Sequence, residues 1–473
     1  MRAHIILGNQ LFKNHPALNF PKNEPIILIE SIKSSNKYHY HKLKLVFVFS
    51  SMRHFASDLE KKGHKVIYIK QSKNSIIENL ENILKEKKID HLSYMLPADR
   101  SPRDKLVNLA TKLNIQTTVH PNMLHITSEE EFEQWYKSTK RPVMENFYRL
   151  RRKQLNILMD GNKPVGGEFN YDKENRKSFP KEGINIPSLP KFELDQITKD
   201  VIKDVDNNFK DNPGSAENIW FATNHEQADA VLKDFVENRL INFGPFEDAI
   251  KTGEPFLFHS TLSPYLNNGL LEVNQVIEKV LSQKRIPIQS LEGFIRQVIG
   301  WREYMYGLYH QMPELESANY FNFKKDLEPW WFTLNKENYQ VNDALDNSLK
   351  VLEKYSYNHH IERLMVFGNW FLINEYNPQR VNDWFMSMYI DAYPWVMYPN
   401  VVGMSQYADG GKVATKPYIS GDAYLNKMGR FKVPESKDLS YTEKYWKFLK
   451  NNREKLKNNS RITLALRQAL LRK

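Results

Sequence analysis

The change of hydrophobic periodicity along the chain is the feature that most constrains its fold. In the first 125 residues, short runs rich in β-branched and aromatic residues alternate with segments that favour helices. Such alternation is typical of a parallel α/β sheet of the Rossmann-like kind. It predicts strands at 4–8, 26–31, 44–51, 65–70 and 117–121, and helices at 52–62, 74–88 and 102–113.

Beyond residue 215, apolar residues recur three and four positions apart, which predicts helices. The predicted helices lie at 225–240, 273–284, 290–311, 341–355, 358–375 and 380–392. A single core rarely grows beyond about 250–300 residues, so a chain of 473 residues predicts several domains. We expect an α/β domain at 1–128, a linker rich in Gly, Pro, Asn and Lys at 129–214, and an all-α domain at 215–473.

Composition excludes several kinds of site. The chain has no cysteine, which rules out disulfides, thiolate zinc sites, cysteine-ligated iron–sulfur clusters and cysteine nucleophiles. The net charge of +11 favours a polyanionic partner such as nucleic acid, although a basic solvated surface is an equally ordinary cause. Neither a signal peptide nor an apolar stretch of about 18–20 residues is evident, so we expect a cytoplasmic protein without membrane contact.

Two short motifs suggest ligand sites. The first strand ends in Gly8-Asn9-Gln10, where ligands of α/β sheets bind; this is no GxGxxG fingerprint, and a plain turn explains it as well. The segment "HSTLSPYL" carries hydroxyls at a predicted helix start. These hydroxyls either cap the helix, which the segment alone favours, or bind a phosphate.

The segment "RQVIGWREYMYGLYH" combines polar groups with aromatic residues. Gln297 and Arg302 are candidates for hydrogen bonds to a ligand, and Arg302 pairs either with a phosphate or with a glutamate such as Glu303. In "DAYPWVMYPN", Asp391 and Asn400 lie among tryptophans and tyrosines. A buried aspartate needs hydrogen bonds, for instance from the imide or ribityl group of a flavin, whereas aromatic stripes are normally core.

The adjacent histidines in "YNHHIERLMVFGNWF" open a predicted helix. His360, Leu364 and Phe367 share one face of this helix, while His359 and Arg363 share the neighbouring face. Adjacent helical side chains point about 100° apart and no carboxylate pair completes a site, so no metal is expected. A proton-handling histidine and a structural histidine both remain open, and spacing alone favours the structural one.

Taken in order and spacing, "STLSPYLNNG", "RQVIGWREY", "NHHIERLMVFGN" and "DAYPWVMYPNVVGMSQYADGG" with the later "KPYISG" resemble the cryptochrome/photolyase superfamily. The chain is most similar to its prokaryotic (6-4) photolyase branch, the iron–sulfur bacterial cryptochromes and photolyases. The resemblance extends over nearly the whole chain. It implies light-driven repair of (6-4) pyrimidine–pyrimidone photoproducts by a monomeric enzyme with an α/β antenna domain and a helical FAD domain, acting on double-stranded DNA at the nucleoid.

The resemblance also implies roles for single residues. His360 matches the histidine that supplies a proton to the lesion, His359 shapes its pocket, and Tyr418 lines the lesion site. Arg363 approaches the flavin ring, Asp391 accepts from its polar edge or ribityl chain, and Asn400 lies near N5. The other residues expected around FAD are His259, Ser260, Thr261, Leu262 and Ser263 at the diphosphate, with Gln297 and Arg302 flanking the cofactor.

An antenna pigment and an electron-transfer chain are implied in the same way. The antenna of this branch is 6,7-dimethyl-8-ribityllumazine, with Gly8, Asn9, Gln10 and Glu30 as its expected neighbours. The electron chain starts at Trp384. Its neighbour is Phe385, where a tyrosine is expected, so the path is predicted to be detoured or impaired.

The chain departs from the branch in its missing cluster cysteines, whose place we expect to be filled by ordinary packing or by the segment 428–446. Leu364 stands where animal (6-4) photolyases carry a second histidine, which puts more weight on His360. Three alternatives stay open: a cryptochrome-like blue-light photoreceptor, a cyclobutane-dimer photolyase, and a DNA-binding protein with a degenerate flavin pocket.

Overall fold

The computed structural model describes residues 1–335 and 340–472. Contacts within these residues divide the chain into two compact units. The sheet unit comprises Met1–Ser128, Ser188–Val236 and Ser260–Gln283; the helical unit comprises Glu129–Pro187, Glu237–His259 and Lys284–Lys473. The predicted linker 129–214 contains three helices. Glu129–Ser138 and Met144–Gln154 belong to the helical unit, and Gln196–Asn208 belongs to the sheet unit. The domain limits drawn from the sequence stay a prediction.

The sheet unit is built on a parallel five-stranded sheet of the order β3-β2-β1-β4-β5. Its strands are β1 (Arg2–Ile5), β2 (Ile26–Ser31), β3 (Val66–Ser72), β4 (His91–Met95) and β5 (Gln116–His120). In register, Ile5 lies between Ile27 on one side and Tyr94 on the other, and all three are buried. The predicted α/β class is confirmed. Because the strand order reverses beside β1, the carboxyl ends of β1 and β4 form the switch point at which such sheets bind ligands.

Helices connect the strands and complete the sheet unit. The helices of the sheet unit are Ile32–Ser35, Lys42–Lys61, Ile76–Glu86, Arg100–Leu113, Gln196–Asn208, His225–Asp234, Ser263–Asn268 and Val273–Leu281, with a 3₁₀ turn at Pro16–Asn19. Ser75 and Glu78 form a capping box at the start of Ile76–Glu86, which satisfies two backbone N–H groups that the helix itself cannot.

One strand prediction was wrong in this unit, and one strand was not predicted. The run 44–51, predicted as a strand, lies in the helix Lys42–Lys61, because a short apolar run fits a buried helix as well as a strand. This helix buries most of its circumference and packs against Gln196–Asn208 and β3. The strand β4 was missed, since its five residues alone carry no clear alternation and its pairing with β1 and β5 decides its conformation.

The helical unit confirms the predicted all-helical character of the later chain. Its α-helices are Glu129–Ser138, Met144–Gln154, Leu240–Phe243, Ile288–Ile295, Glu303–Gln311, Trp330–Thr333, Asp343–Tyr355, Asn369–Ile373, Pro378–Met388, Pro394–Met397, Asp422–Gly429, Tyr441–Asn451, Arg453–Leu456 and Thr463–Leu471. Short 3₁₀ turns lie at Asp172–Glu174, Pro313–Glu316 and Lys437–Leu439, and a small hairpin pairs Met159–Asp160 with Lys163–Pro164.

Three motifs singled out in the sequence adopt π-helical turns. These turns are Arg296–Arg302, Glu362–Gly368 and Tyr398–Ser405, and a fourth, Phe235–Arg239, crosses the limit between the units. A π-helical turn inserts extra residues into a helix and re-aims its side chains, which is frequent at functional sites. None of the described helices has the length and hydrophobicity that crossing a bilayer requires.

Candidate active site

A bidentate ion pair joins Arg363 to Asp391 in the helical unit. Arg363 donates from Nη1 to Oδ1 at 2.8 Å and from Nη2 to Oδ2 at 3.1 Å, and its Nε donates to the carbonyl of Asn358 at 2.7 Å. The guanidinium lies 4.1 Å from the ring centroid of Tyr389. Burial lowers the pKa of Arg363, but the charge and hydrogen bonds of Asp391 outweigh it and raise the pKa above its ordinary value. The arginine is therefore permanently charged and held in one orientation.

The buried side chain of His359 stacks on His259. Their ring centroids are 4.5 Å apart and their planes differ by 15°. Burial, followed by neighbouring positive groups, lowers the pKa of both well below the ordinary value, so both rings are neutral at physiological pH. The carbonyl of His259 accepts a hydrogen bond from Nη1 of Arg239 at 2.7 Å, which anchors the backbone of one partner in the stack.

His360 is in the opposite situation. Its side chain is 48% exposed, and its Nε2 lies 3.1 Å from Oδ1 of Asp248. Desolvation of the enclosed part of the ring lowers the pKa of His360, but the hydrogen bond and charge of Asp248, together with the charge of Glu247, raise it above the ordinary value. Two residues adjacent in sequence thus favour different protonation states, with the charged ring beside carboxylates and the neutral ring in the interior.

Glu247, whose charge acts on His360, is hydrogen-bonded to the predicted residue Gln297. The amide of Gln297 donates to Oε1 of Glu247 at 2.5 Å, and the amide of Asn175 donates to Oε2 at 3.3 Å. Burial raises the pKa of Glu247 to about 7. The sequence reasoning missed both Glu247 and Asp248. Their only signal is an acidic pair inside the apolar segment "GPFEDAI", far from the histidines along the chain.

The remaining predicted residues of the helical unit have other surroundings. Arg302 lies 5.0 Å from the ring centroid of Trp395 and 3.4 Å from Oε1 of Glu303, in agreement with the ion-pair alternative; burial lowers its pKa to about 10. Asn400 donates to the carbonyl of Val396 at 2.8 Å. Burial, then the charge of Asp172, raises the pKa of the partly buried Tyr418.

Comparison with known proteins identifies the family. The family model described as "Deoxyribodipyrimidine photo-lyase-related protein" matches residues 4–221. A (6-4) photolyase from Agrobacterium fabrum is 35% identical to this chain over 481 residues, which cover 97% of this chain and 93% of the relative. The chain belongs to the photolyase family.

Solved structures agree on the fold. A bacterial class III photolyase from Agrobacterium tumefaciens has a TM-score of 0.58 at 17% identity and covers 85% of this chain and 78% of its own. A cryptochrome from Synechocystis sp. PCC6803 has a TM-score of 0.57 at 14% identity and covers 94% of this chain and 92% of its own. The 35% identity to the Agrobacterium fabrum relative over nearly the whole chain, together with the family model, shows that this photolyase is an enzyme of DNA repair that acts on DNA; its family implies FAD as the cofactor.

The helical unit of this photolyase offers buried polar atoms that fit a flavin. In the part of the chain that the structure describes, Nε2 of His259 and both ring nitrogens of His359 have no hydrogen-bond partner, although Oε2 of Glu362 lies 3.5 Å from Nε2 of His359. Burying such nitrogens is costly unless a polar partner is supplied. The N–H and carbonyl groups of a flavin are of the kind that could pair with these nitrogens, and the charges of Arg363 and Asp391 lie nearby.

The hydroxyl-bearing segment belongs to the sheet unit from Ser260 onward, whereas His259 belongs to the helical unit. Ser260 Oγ accepts from the N–H of Leu262 at 3.4 Å, and the helix Ser263–Asn268 follows. Thr261 is buried with φ of 56°, a left-handed conformation that is costly for a β-branched residue. The placement of this segment at the FAD diphosphate stays a prediction.

At the switch point of the sheet, Gln10 is buried and its amide donates to the carbonyls of Met95 at 3.1 Å and Leu96 at 3.4 Å. Gly8 and Asn9 precede it and are partly exposed. Glu30 is different: its carboxylate accepts from Arg53, at 2.7 and 2.9 Å, and from Tyr68 and Gln71. Those contacts make Glu30 part of an internal hydrogen-bond network. A hydrogen bond from an antenna pigment to Glu30 would have to be added to the bonds that its carboxylate already accepts.

The two aromatic residues expected in electron transfer lie together in the helix Pro378–Met388. Phe385 stacks on Tyr389 with centroids 5.4 Å apart. Trp384 is fully buried, and its indole nitrogen donates to the carbonyl of Trp331 at 2.8 Å. The structure thus brings Trp384 to a tryptophan that the sequence reasoning did not name.

Proposed function

We propose that this photolyase repairs (6-4) photoproducts in double-stranded DNA, with His360 as the proton donor. The observation that supports this role is the half-exposed imidazole of His360 at 3.1 Å from Asp248. A protonated, half-exposed ring can give its proton to a bound base, whereas the buried, neutral His359 cannot. The relative from Agrobacterium fabrum, named a (6-4) photolyase, supports the choice of lesion.

FAD, when bound in its reduced form and excited by light, supplies the electron that opens the lesion. We assign Arg363 and Asp391 to the polar side of the flavin, and the nitrogens of His259 and His359 to its hydrogen-bonding groups. Tyr418 lines the lesion pocket. The other assigned FAD contacts are Ser260, Thr261, Leu262, Ser263, Gln297, Arg302 and Asn400.

A second chromophore is proposed at the carboxyl end of β1. The position of Gln10 between β1 and β4 supports it, because this is where parallel sheets bind ligands. We propose 6,7-dimethyl-8-ribityllumazine as the pigment, held by Gly8, Asn9 and Gln10, with Glu30 as a peripheral contact. Pigment released from purified protein identifies it by its absorption spectrum, and a lone flavin spectrum contradicts the proposal.

The proposed partner is a duplex that carries the lesion outside its base stack. Flipping a damaged base costs less than flipping a paired one, and the net charge of +11 favours contacts with the phosphates. We propose that the enzyme works as a monomer in the cytoplasm, associated with the nucleoid. Light scattering coupled to gel filtration measures the oligomeric state.

The deciding experiment compares two lesions with chemically reduced FAD under blue light. Restored pyrimidines from the (6-4) oligonucleotide support the proposal, and repair of the cyclobutane dimer alone contradicts it. A flavin-containing protein that repairs neither lesion indicates a photoreceptor. His360→Ala should lower (6-4) repair about 100-fold or more, as expected for a lost proton donor, while the exposed His39→Ala should leave it unchanged.

A further inference from the structure

One carboxylate in the helical unit accepts hydrogen bonds from two oxidisable side chains. The indole Nε1 of Trp331 donates to Oε2 of Glu328 at 3.1 Å. The hydroxyl of Tyr376 donates to the same carboxylate, with Tyr376 Oη 2.9 Å from Oε1 and 2.7 Å from Oε2. Glu328 is 35% exposed, so a proton that it accepts can pass on to solvent.

A compact aromatic path leads from Trp384 to this carboxylate. The rings of Trp384 and Trp331 lie nearly perpendicular with centroids 5.8 Å apart, and Trp384 is hydrogen-bonded to the backbone of Trp331. Phe371 contacts the rings of Trp331, Trp384 and Tyr376 at 4.8, 5.1 and 5.8 Å. Phe385, at the position where an oxidisable tyrosine is expected, contacts the Trp384 ring with centroids 5.1 Å apart. The contact of Trp384 with Trp331 does not run through Phe385.

The resting charges suit proton transfer. Burial raises the pKa of Glu328, but the Tyr376 hydroxyl, the backbone and Lys325 outweigh it and leave the pKa below its ordinary value. Burial, then Glu328, raises the pKa of Tyr376, so the phenol keeps its proton. Lys325 lies 3.8 Å from the Tyr376 ring centroid and 3.5 Å from Glu328. The pair therefore rests as an ionised carboxylate and a neutral phenol, ready to exchange one proton.

We propose that Glu328 accepts the proton of Tyr376 when Tyr376 replaces the electron that Trp384 and Trp331 pass to light-excited, oxidised FAD. Trp384 loses one electron and regains it from Trp331, and Trp331 regains one from Tyr376. The O–H proton moves to the Glu328 carboxylate, which leaves a neutral tyrosyl radical and a carboxylic acid. An external thiol then returns a hydrogen atom to the phenoxyl oxygen, and the acid releases its proton to water.

This assignment rests on the proposed function only in that FAD is the cofactor, and on the expectation from the family resemblance that the electron chain starts at Trp384. Repair with chemically reduced FAD does not use the path, so the two proposals are separable. Glu328→Gln keeps an oxygen that can accept from Trp331 but cannot take the proton. Tyr376→Phe removes the terminal donor and leaves the carboxylate.

The test is transient absorption and electron paramagnetic resonance on the flavin-loaded protein, followed by steady illumination with thiol. The wild type should form a tyrosyl radical, and the rate of its formation should be lower in deuterated water. Tyr376→Phe should show only tryptophan radicals. Glu328→Gln should lower the tyrosyl yield and the light-driven flavin reduction about tenfold or more, because a positioned base contributes at least that, while its repair with pre-reduced FAD stays at the wild-type rate.

Two outcomes overturn the assignment. One is a tyrosyl radical of wild-type yield in Glu328→Gln, which makes the carboxylate dispensable. The other is unchanged photoreduction in Trp331→Phe, which moves the path elsewhere. If the wild type with pre-reduced FAD does not repair the lesion, the proposed function is contradicted. The radical assignment is then decided by the radical spectra alone.

Discussion

The rings of His259 and His359 stack at 4.5 Å, while His360, the next residue, turns to Asp248 at 3.1 Å. The two adjacent histidines differ because burial disfavours a charged ring and a carboxylate favours it. His359 therefore provides neutral nitrogens inside the unit. His360 is half-exposed and favours the protonated form, as the proposed proton donor to the lesion requires.

Removing the charge of Asp248 should shift the pH dependence of repair. The protonated form of His360 is the proposed donor, and its raised pKa extends activity to higher pH in the wild type. We expect Asp248→Asn to move the alkaline limb of the pH–rate profile to lower pH, because the charge of Asp248 is what raises the pKa of His360. Asp229→Asn, which removes a surface carboxylate paired with Lys13, is the control. An unmoved profile in Asp248→Asn contradicts this role.

Replacing the ring nitrogens of His359 should weaken cofactor binding. His359→Phe keeps an aromatic ring against His259 but removes both unpartnered nitrogens. A lost hydrogen bond in a buried site costs about 1–3 kcal/mol, so we expect roughly ten- to hundredfold weaker FAD binding. Flavin titration of the apoprotein measures it, with the exposed His39→Phe as control. Equal affinity would place the flavin away from this stack.

Breaking the Arg363–Asp391 pair should cost more stability than deleting it. Asp391→Leu leaves a largely buried guanidinium without its carboxylate, which costs about 3–5 kcal/mol. The double variant Arg363→Met with Asp391→Leu removes both charges and should recover part of this loss. Denaturant unfolding of the apoproteins gives the comparison. A double variant as unstable as the sum of the two single ones contradicts the expected coupling.

Glu247 should make the wild type less stable as the pH rises. Its pKa is raised from 4.5 to about 7, so between these values the folded protein binds more protons than the unfolded chain. Stability then falls with rising pH, by on the order of 3 kcal/mol across this window. Glu247→Gln keeps hydrogen-bonding groups toward Gln297 and should lack this decline. Denaturation at pH 5 and pH 8 measures the difference.

Asp422 should stabilise the segment predicted to replace the cluster. It accepts from Ser440 Oγ at 2.6 Å and from the N–H groups of Tyr441 at 3.2 Å and Thr442 at 2.9 Å. Burial raises its pKa, but these hydrogen bonds outweigh it and lower the pKa below 3.8. The stabilisation is present above pH 3.8 and is lost as the pH falls through the lower folded value.

Asp422→Asn should therefore destabilise the protein by about 1–3 kcal/mol at pH 7 and by less in acid. Thermal unfolding across this pH range tests both parts. Asp438→Asn, in the neighbouring 3₁₀ turn Lys437–Leu439, serves as the control. A pH-independent loss in Asp422→Asn would mean that shape rather than charge is what the site requires.

Some features could be predicted from the sequence because their cause is local or repeated. Alternating short apolar runs require a sheet with crossover helices, and three- and four-residue spacing requires helices, whatever lies around them. The run 44–51 was predicted wrongly, since a short apolar run fits a buried helix and a strand equally well. The strand β4 was not predicted, because its extended conformation depends on pairing with β1 and β5.

The sequence by itself determined the fold class, the absence of any cysteine-held cluster, and the motifs that carry the family. Those depend on residue type and spacing. Only the tertiary structure placed Asp248 beside His360 and Glu328 between Trp331 and Tyr376, because these partners lie 112 and up to 48 residues apart along the chain. A protonation state or a radical's proton acceptor depends on distance and burial, and folding decides both.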